Sequence, residues 1–237
     1  MIDMLHARAL MVEQQRLRRG VSDAAVLKAM GDVPREVFVP SALTDFAYED
    51  TPLAIAAGQT ISQPFIVAAM IEAARLQPTD AVLEVGAGSG YAAAVMATIA
   101  QRVDAIERHR ELADAAAERL RGLGVRNAQV HCGDGTLGWP SGAPYDAILV
   151  AAAGPRPPDS LKAQLKPGGR LVIPIGEPGQ AQRLIKVTRG LANDFREEDL
   201  GPVGFVPLIG DEGWPESASE RTPKPPDPTR AGSQEKP

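Results

Sequence analysis

VLEVGAGSGY, residues 82–91, is an apolar run that breaks into a glycine-rich turn, Gly86-Ala87-Gly88-Ser89-Gly90, and then into small helix-forming residues. The pattern reads as strand, turn and helix start, with the turn at the carboxyl end of the strand, where glycine lets the backbone approach a ligand closely. A turn of this kind takes a nucleotide-like cofactor. Dinucleotide folds usually carry G-x-G-x-x-G here to hold a pyrophosphate. The shorter G-x-G-x-G favours S-adenosylmethionine, which has no pyrophosphate.

Outward from this turn, helical and apolar strand-like segments alternate. Helix 63–76 precedes strand 81–85; helix 89–100, strand 102–107, helix 111–124, strand 128–132, strand 147–153, a proline-started helix near 158–165 and strand 170–176 follow. Strands that are apolar throughout and separated by helices indicate a parallel sheet covered on both faces. Further on, 182–190 and 203–210 read as additional strands, antiparallel and at an edge, with Pro207 arguing against a fully paired central place.

Before the sheet, residues 2–18 and 23–30 have helical periodicity. Ser22 is the candidate N-cap of the second helix and Gly31 its stop. Pro34, Pro40 and Pro52 then break up the chain, and 54–62 reads as a loop or short hairpin. Residues 211–237, rich in proline, serine and charges of both signs, read as a disordered tail in which Trp214 is the candidate docking residue. The expectation is one domain over 1–210, with N-terminal helices and a loop in 1–62 and the cofactor-binding sheet in 63–210.

The ends of successive strands carry acids. Glu84 would be an unusual neighbour for a phosphate but suits an ammonium, which the methionine end of the cofactor supplies. Glu107 ends the next strand, where a carboxylate can accept both ribose hydroxyls. Asp134, in Cys132-Gly133-Asp134-Gly135 after the third strand, is expected near the adenine amino group. Either glutamate alone reads equally well as a solvated strand-end carboxylate; the combination with the turn is what points to a site.

Composition narrows the class. The 237 residues carry a net charge of -5, with 44% hydrophobic but only 4% aromatic residues. That balance argues against nucleic acid and membrane surfaces as partners. The single cysteine, Cys132, excludes an intrachain disulfide and reads as a buried inert thiol, and His6, His109 and His131 have no zinc-ligand spacing, so no metal is expected. The expectation is a cytoplasmic monomer, with neither a secretory signal nor a membrane span.

Beyond the turn, DAAVLKAMGDVPREVFVP (23–40), AYEDTPL (47–53), GQTISQPFIVAAM (58–70), GDGTLGWP (133–140), LKPGGRLVIPIG (165–176) and FVPLIG (205–210) occur in order. Over roughly residues 10–210 the chain closely resembles the protein-L-isoaspartate O-methyltransferase family, and GQTISQP carries the resemblance more specifically than the glycine turn. It implies a Rossmann-like methyltransferase fold, with a seven-stranded, mostly parallel sheet, helices on both faces and extra N-terminal helices. It also implies S-adenosyl-L-methionine as cofactor, held by Glu84, Gly86, Gly88, Ser89, Gly90, Glu107, Arg108, Asp134 and Gly135. Ser62 is implied as the active-site hydroxyl, with Thr60, Ile61, Val206 and Pro207 beside the substrate. Ala56-Ala57 and VAAAGPRPP (150–158) depart from the commoner family forms and bear on substrate recognition.

The implied activity is methyl transfer to the free carboxylate of L-isoaspartyl residues in damaged proteins and peptides, after which the ester closes spontaneously to a succinimide. A carboxylate with a reference pKa of about 3.3–4.3 is already ionised at pH 7, so no general base is needed. Alignment and exclusion of water are what remain. Ser62, where a helix begins ahead of Pro64, can donate to a substrate carboxylate beside the positive end of the dipole; it reads equally as an ordinary N-cap. Alternatives are a carboxyl methyltransferase with another dedicated acceptor, a catalytically silent cofactor-binding protein, and a nicotinamide dehydrogenase.

Overall fold

Seven strands form the central sheet in a computed structural model that describes residues 3–192 and 194–221. The chain enters through α1 (Met4–Arg19) and α2 (Ala24–Asp32). The cap of α2 is Asp23, which accepts the Ala25 and Val26 amides, whereas the Ser22 hydroxyl donates to Glu72; the helix also runs past Gly31 to Asp32. The change of cap follows from the longer-range bond: Glu72 of another helix takes the Ser22 hydroxyl and leaves the adjacent acid to satisfy the free amides.

A short antiparallel hairpin, β1 (Leu53–Ala54) with β2 (Thr60–Ile61), leads directly into α3 (Pro64–Ala74). Then follow β3 (Ala81–Val85), α4 (Tyr91–Ala97), β4 (Arg102–Glu107), α5 (Arg110–Gly122), β5 (Ala128–Cys132), β6 (Tyr145–Val150), α6 (Asp159–Ala163), β7 (Leu165–Ile175), β8 (Gln182–Arg189) and β9 (Phe195–Val203). The sheet order is β5-β4-β3-β6-β7-β8-β9. β3, β4, β5, β6 and β7 pair in parallel, and β8 and β9 pair antiparallel. β3 is the middle of the five parallel strands, so the turn after it opens at the point where strand order reverses, the place where doubly wound sheets bind ligands.

The expected last strand at 203–210 is replaced by β9 at 195–203. Its sequence, FREEDLGPV, is largely exposed and acidic, and it pairs with β8 through its backbone and through the Arg183–Asp199 and Lys186–Glu198 ion pairs. Residues 204–210 instead cross the carboxyl edge of the sheet. There Ala153 donates to the Val206 carbonyl and accepts from the Leu208 amide, so Pro207 sits at the one position that needs no N–H.

Each sheet face has its own apolar cluster. On one, Val82, Val103 and Ala105 pack with Met11, Met30 and Phe38 from the N-terminal segment and with Val67 and Ile71 of α3. On the other, Leu83, Ile106, Ile148 and Ile173 pack with Leu161 and Leu208. The N-terminal helices thus share a core with the sheet, which fixes the hairpin and Ser62 relative to β3.

The chain does not leave the fold at 211. The Asp211 amide donates to Asp134, the Glu212 carboxylate accepts from the Ser160 amide at 3.1 Å, the Trp214 indole donates to the Ala153 carbonyl at 3.0 Å, and Ala218 is buried. Residues 211–218 are therefore tied into the fold, and 222–237 of the expected tail lie outside the described residues. Among the described residues no helix is long and apolar enough to cross a membrane.

Gly90 closes the turn at φ +91, and a Cβ there would meet the Ala116 Cβ of α5 at 3.1 Å. A β-branched side chain is disfavoured in that left-handed region and has no room against α5. Gly90→Val is expected to lose roughly 2–4 kcal/mol of stability, read as a lower urea midpoint; an unchanged midpoint would contradict the packing described.

Candidate active site

The turn is built by two neighbouring strands. Gly86 and Ala87 both donate to the Ile106 carbonyl, at 2.8 and 3.0 Å, and Gly88 donates to Glu107 Oε2 at 2.9 Å. The other oxygen of Glu107 accepts the His109 amide at 2.9 Å. Glu107, 5% exposed, therefore shapes the turn and still has lone pairs facing the cavity.

Glu84 lies at the base of the same cavity, 2% exposed, and its Oε2 has no hydrogen-bond partner among the described residues. Burial, reinforced by the charge of Glu107 and partly offset by the Ala93 amide at the start of α4, holds its carboxyl well above the usual range. A buried acceptor without a donor is costly unless a ligand supplies one.

The cavity, about 890 Å³, brings together Thr60, Ile61 and Ser62 from the hairpin and Glu84, Gly86, Gly88, Ser89, Glu107, Arg108 and Gly135 from the strand ends. Val206 and Pro207 close its far side. Twelve of the fourteen residues marked by the sequence thus meet at one place. Gly90 stands behind the turn, against α5.

Asp134 is the other exception. Its Oδ1 accepts the Thr136 amide and hydroxyl at 2.8 and 2.7 Å, and its Oδ2 accepts the Asp211 amide at 2.8 Å. The carboxylate caps a 3-10 turn and ties down the 211 segment instead of lining the cavity. Gly135 next to it does line the cavity, and a Cβ there would strike Val85 at 2.5 Å. Arg108 is held at the rim by an ion pair with Glu216.

Ser62 is not a helix cap. The N-cap of α3 is Gln63, without a side-chain bond, and the Phe65 amide is taken by Asp50 Oδ1 at 3.0 Å. The Ser62 hydroxyl makes no hydrogen bond within the described residues and lines the cavity.

Other residues shape this site without having been marked. Asp50 also pairs with Arg19, which stands at the cavity rim over the Phe65 ring. Gln182, 2% exposed, accepts the Phe205 amide at 2.7 Å and donates to its carbonyl at 3.1 Å, clamping the segment that carries Val206. Ala153, in the atypical 150–158 stretch, fixes the same segment from the other side. Nothing local in the sequence distinguishes these residues from solvated or packing side chains. Among the described residues, no group of three or more His, Cys, Asp or Glu is placed to hold a metal.

A seven-stranded sheet in this order, with a glycine turn flanked by strand-end acids, defines the S-adenosylmethionine-dependent methyltransferase fold. A family model for protein-L-isoaspartate(D-aspartate) O-methyltransferase matches residues 6–213, and the chain belongs to that family. A protein-L-isoaspartate O-methyltransferase 1 of Rhodopseudomonas palustris (strain HaA2) is 60% identical over 213 residues, covering 90% of this chain and 87% of that one. A solved protein-L-isoaspartate O-methyltransferase superposes with a TM-score of 0.79 at 30% identity, over 87% of this chain and 67% of the other. A putative one from Plasmodium falciparum, in complex with S-adenosyl-L-homocysteine, gives 0.73 at 26% identity, over 85% and 98%.

Proposed function

We propose that this protein transfers a methyl group from S-adenosyl-L-methionine to the free carboxylate of L-isoaspartyl residues in damaged proteins and peptides, the first step of their repair through a succinimide. The observation that carries the reading is one cavity lined both by an unpartnered hydroxyl, Ser62, and by an orphaned buried carboxylate oxygen, Glu84 Oε2. The second suits the cofactor's ammonium, and the first suits an acceptor carboxylate.

When bound, the cofactor supplies an electrophilic methyl on a sulfonium. Glu84 would hold its ammonium, Glu107 its ribose hydroxyls, and the amides of the glycine turn its backbone-facing edge. Arg108 and Gly135 would border the adenine end; Asp134 contributes there by holding the turn at 135–137. The acceptor arrives already ionised, so the chain need not take a proton from it. Ser62 donates its hydroxyl to that carboxylate and orients it toward the glycine turn. Thr60, Ile61, Val206 and Pro207 border the acceptor peptide and exclude water, which strengthens the attraction between the opposite charges being aligned. In this reading the protein works as a cytoplasmic monomer, away from nucleic acid and membranes, as its net charge of -5 supports.

The assay compares paired peptides of one sequence, isoaspartyl and aspartyl, with methyl-labelled cofactor. Label in the isoaspartyl peptide alone is expected; equal label in both, or none, rejects the repair function.

Glu84 adds a pH signature. Its raised pKa means that the folded protein holds this proton to higher pH than the unfolded chain does. The associated stability is therefore complete below the ordinary glutamate range and is lost as pH rises through the raised value. Pairing with an ammonium requires the ionised form, so cofactor binding is expected to release a proton and to tighten as pH rises through that range. Calorimetry in buffers of different ionisation enthalpy reads the release directly. Its persistence in Glu84→Gln would assign it to another group.

A further inference from the structure

Arg35 is 0% exposed, in the 3-10 turn that follows Pro34, and among the described residues it forms no ion pair with a carboxylate. Its Nε donates to the Ala47 carbonyl at 2.7 Å and its Nη2 to the Ser62 carbonyl at 2.9 Å. Its guanidinium lies over the ring of Tyr91, 4.8 Å from the centroid, and Tyr91 is the first residue of the helix that leaves the glycine turn. Burial pulls its pKa down to about 10, so it stays cationic at neutral pH. Burying an unpaired cation is costly, and an apolar side chain of similar length would fill the space without that cost. What the apolar chain could not do is join three segments through one planar fork.

Ser62 makes the junction matter. With no partner to aim its hydroxyl, the direction of that hydroxyl depends on where the backbone is held, and the bond from Arg35 is the one side-chain bond that the described residues make to Ser62. Resting on the function proposed above, we propose that Arg35 is a positioning residue for methyl transfer: its fork clamps the Ser62 carbonyl and stacks on Tyr91, setting the acceptor hydroxyl at a fixed place relative to the cofactor turn.

The test uses Arg35→Lys, which keeps a cation but loses the fork, and Arg35→Met, which fills the space and guards against a Lys variant that fails to fold. S-adenosylhomocysteine calorimetry gives affinity and the number of competent sites; initial rates with the isoaspartyl peptide give kcat per competent site. A cofactor affinity within about twofold of wild type and a kcat at least about tenfold lower are expected, and the double variant of Arg35→Lys with Ser62→Ala is expected to turn over no more slowly than Ser62→Ala alone. Losses that add in the double variant, or a kcat per competent site that does not change, overturn the proposal. A purely structural role would lower the number of competent sites instead. An inactive wild-type protein would defeat the proposed function, not the clamp, which amide hydrogen exchange tests independently. Faster exchange over residues 60–66 in the variants, with 82–90 unchanged, supports it, and unchanged exchange over 60–66 overturns it.

Discussion

Glu107→Ala is expected to weaken cofactor binding by roughly a hundredfold or more, because hydrogen bonds to a carboxylate contribute about 1.5–3 kcal/mol each and two ribose hydroxyls would lose theirs. The substitution also removes the acceptor for the Gly88 and His109 amides, so the glycine turn loses the bond that sets its shape. Glu107→Gln separates the two contributions only in part. The amide has one oxygen, and its nitrogen would face a second backbone donor, so either Gly88 or His109 must go unpaired. Calorimetry with S-adenosylhomocysteine gives the affinity and a thermal melt the stability. An affinity within a few-fold of wild type in Glu107→Ala would remove this residue from the ribose contact.

Ser62→Ala is expected to lower kcat about 10- to 100-fold, the value of one hydrogen bond to a charged acceptor in the transition state. Cofactor affinity should stay where it is, since no side chain that faces the cofactor depends on this hydroxyl. Stability should change by less than about 0.5 kcal/mol, because the hydroxyl has no partner to lose and does not cap α3. The pair of measurements discriminates sharply. A cap removed would cost about 1 kcal/mol of stability and leave turnover alone, whereas an acceptor-orienting hydroxyl removed does the reverse.

Much of the candidate site is legible in the sequence, and for a local reason. The glycine turn, Glu84 and Glu107 lie within a few residues of strand ends, and the alternation of apolar strands with helices sets which ends face the same way. GQTISQP then marked Ser62 through resemblance to a family. The features that the sequence did not show share a cause as well. Asp134 was expected at the adenine because it follows a strand like the two glutamates, yet the segment at 211 offers its carboxylate an amide. That segment in turn read as a tail because its composition is polar, although Trp214 and Glu212 each find a partner across the fold. β9 lacks apolar alternation because only Leu200 and Val203 toward its end pack against the core, so periodicity does not show it.

Local sequence thus sufficed for the element types, the parallel core and the acids around the turn, because periodicity and glycine conformation act over a few residues. Which polar groups are spent on architecture and which are left open to a ligand depends on segments brought together from far along the chain. Asp50 takes the Phe65 amide that a cap at Ser62 would have needed, Arg35 reaches the Ser62 carbonyl across 27 positions, and Asp211 reaches Asp134 across 77. Every buried donor and acceptor needs a partner, and that matching is settled only when the whole chain has packed.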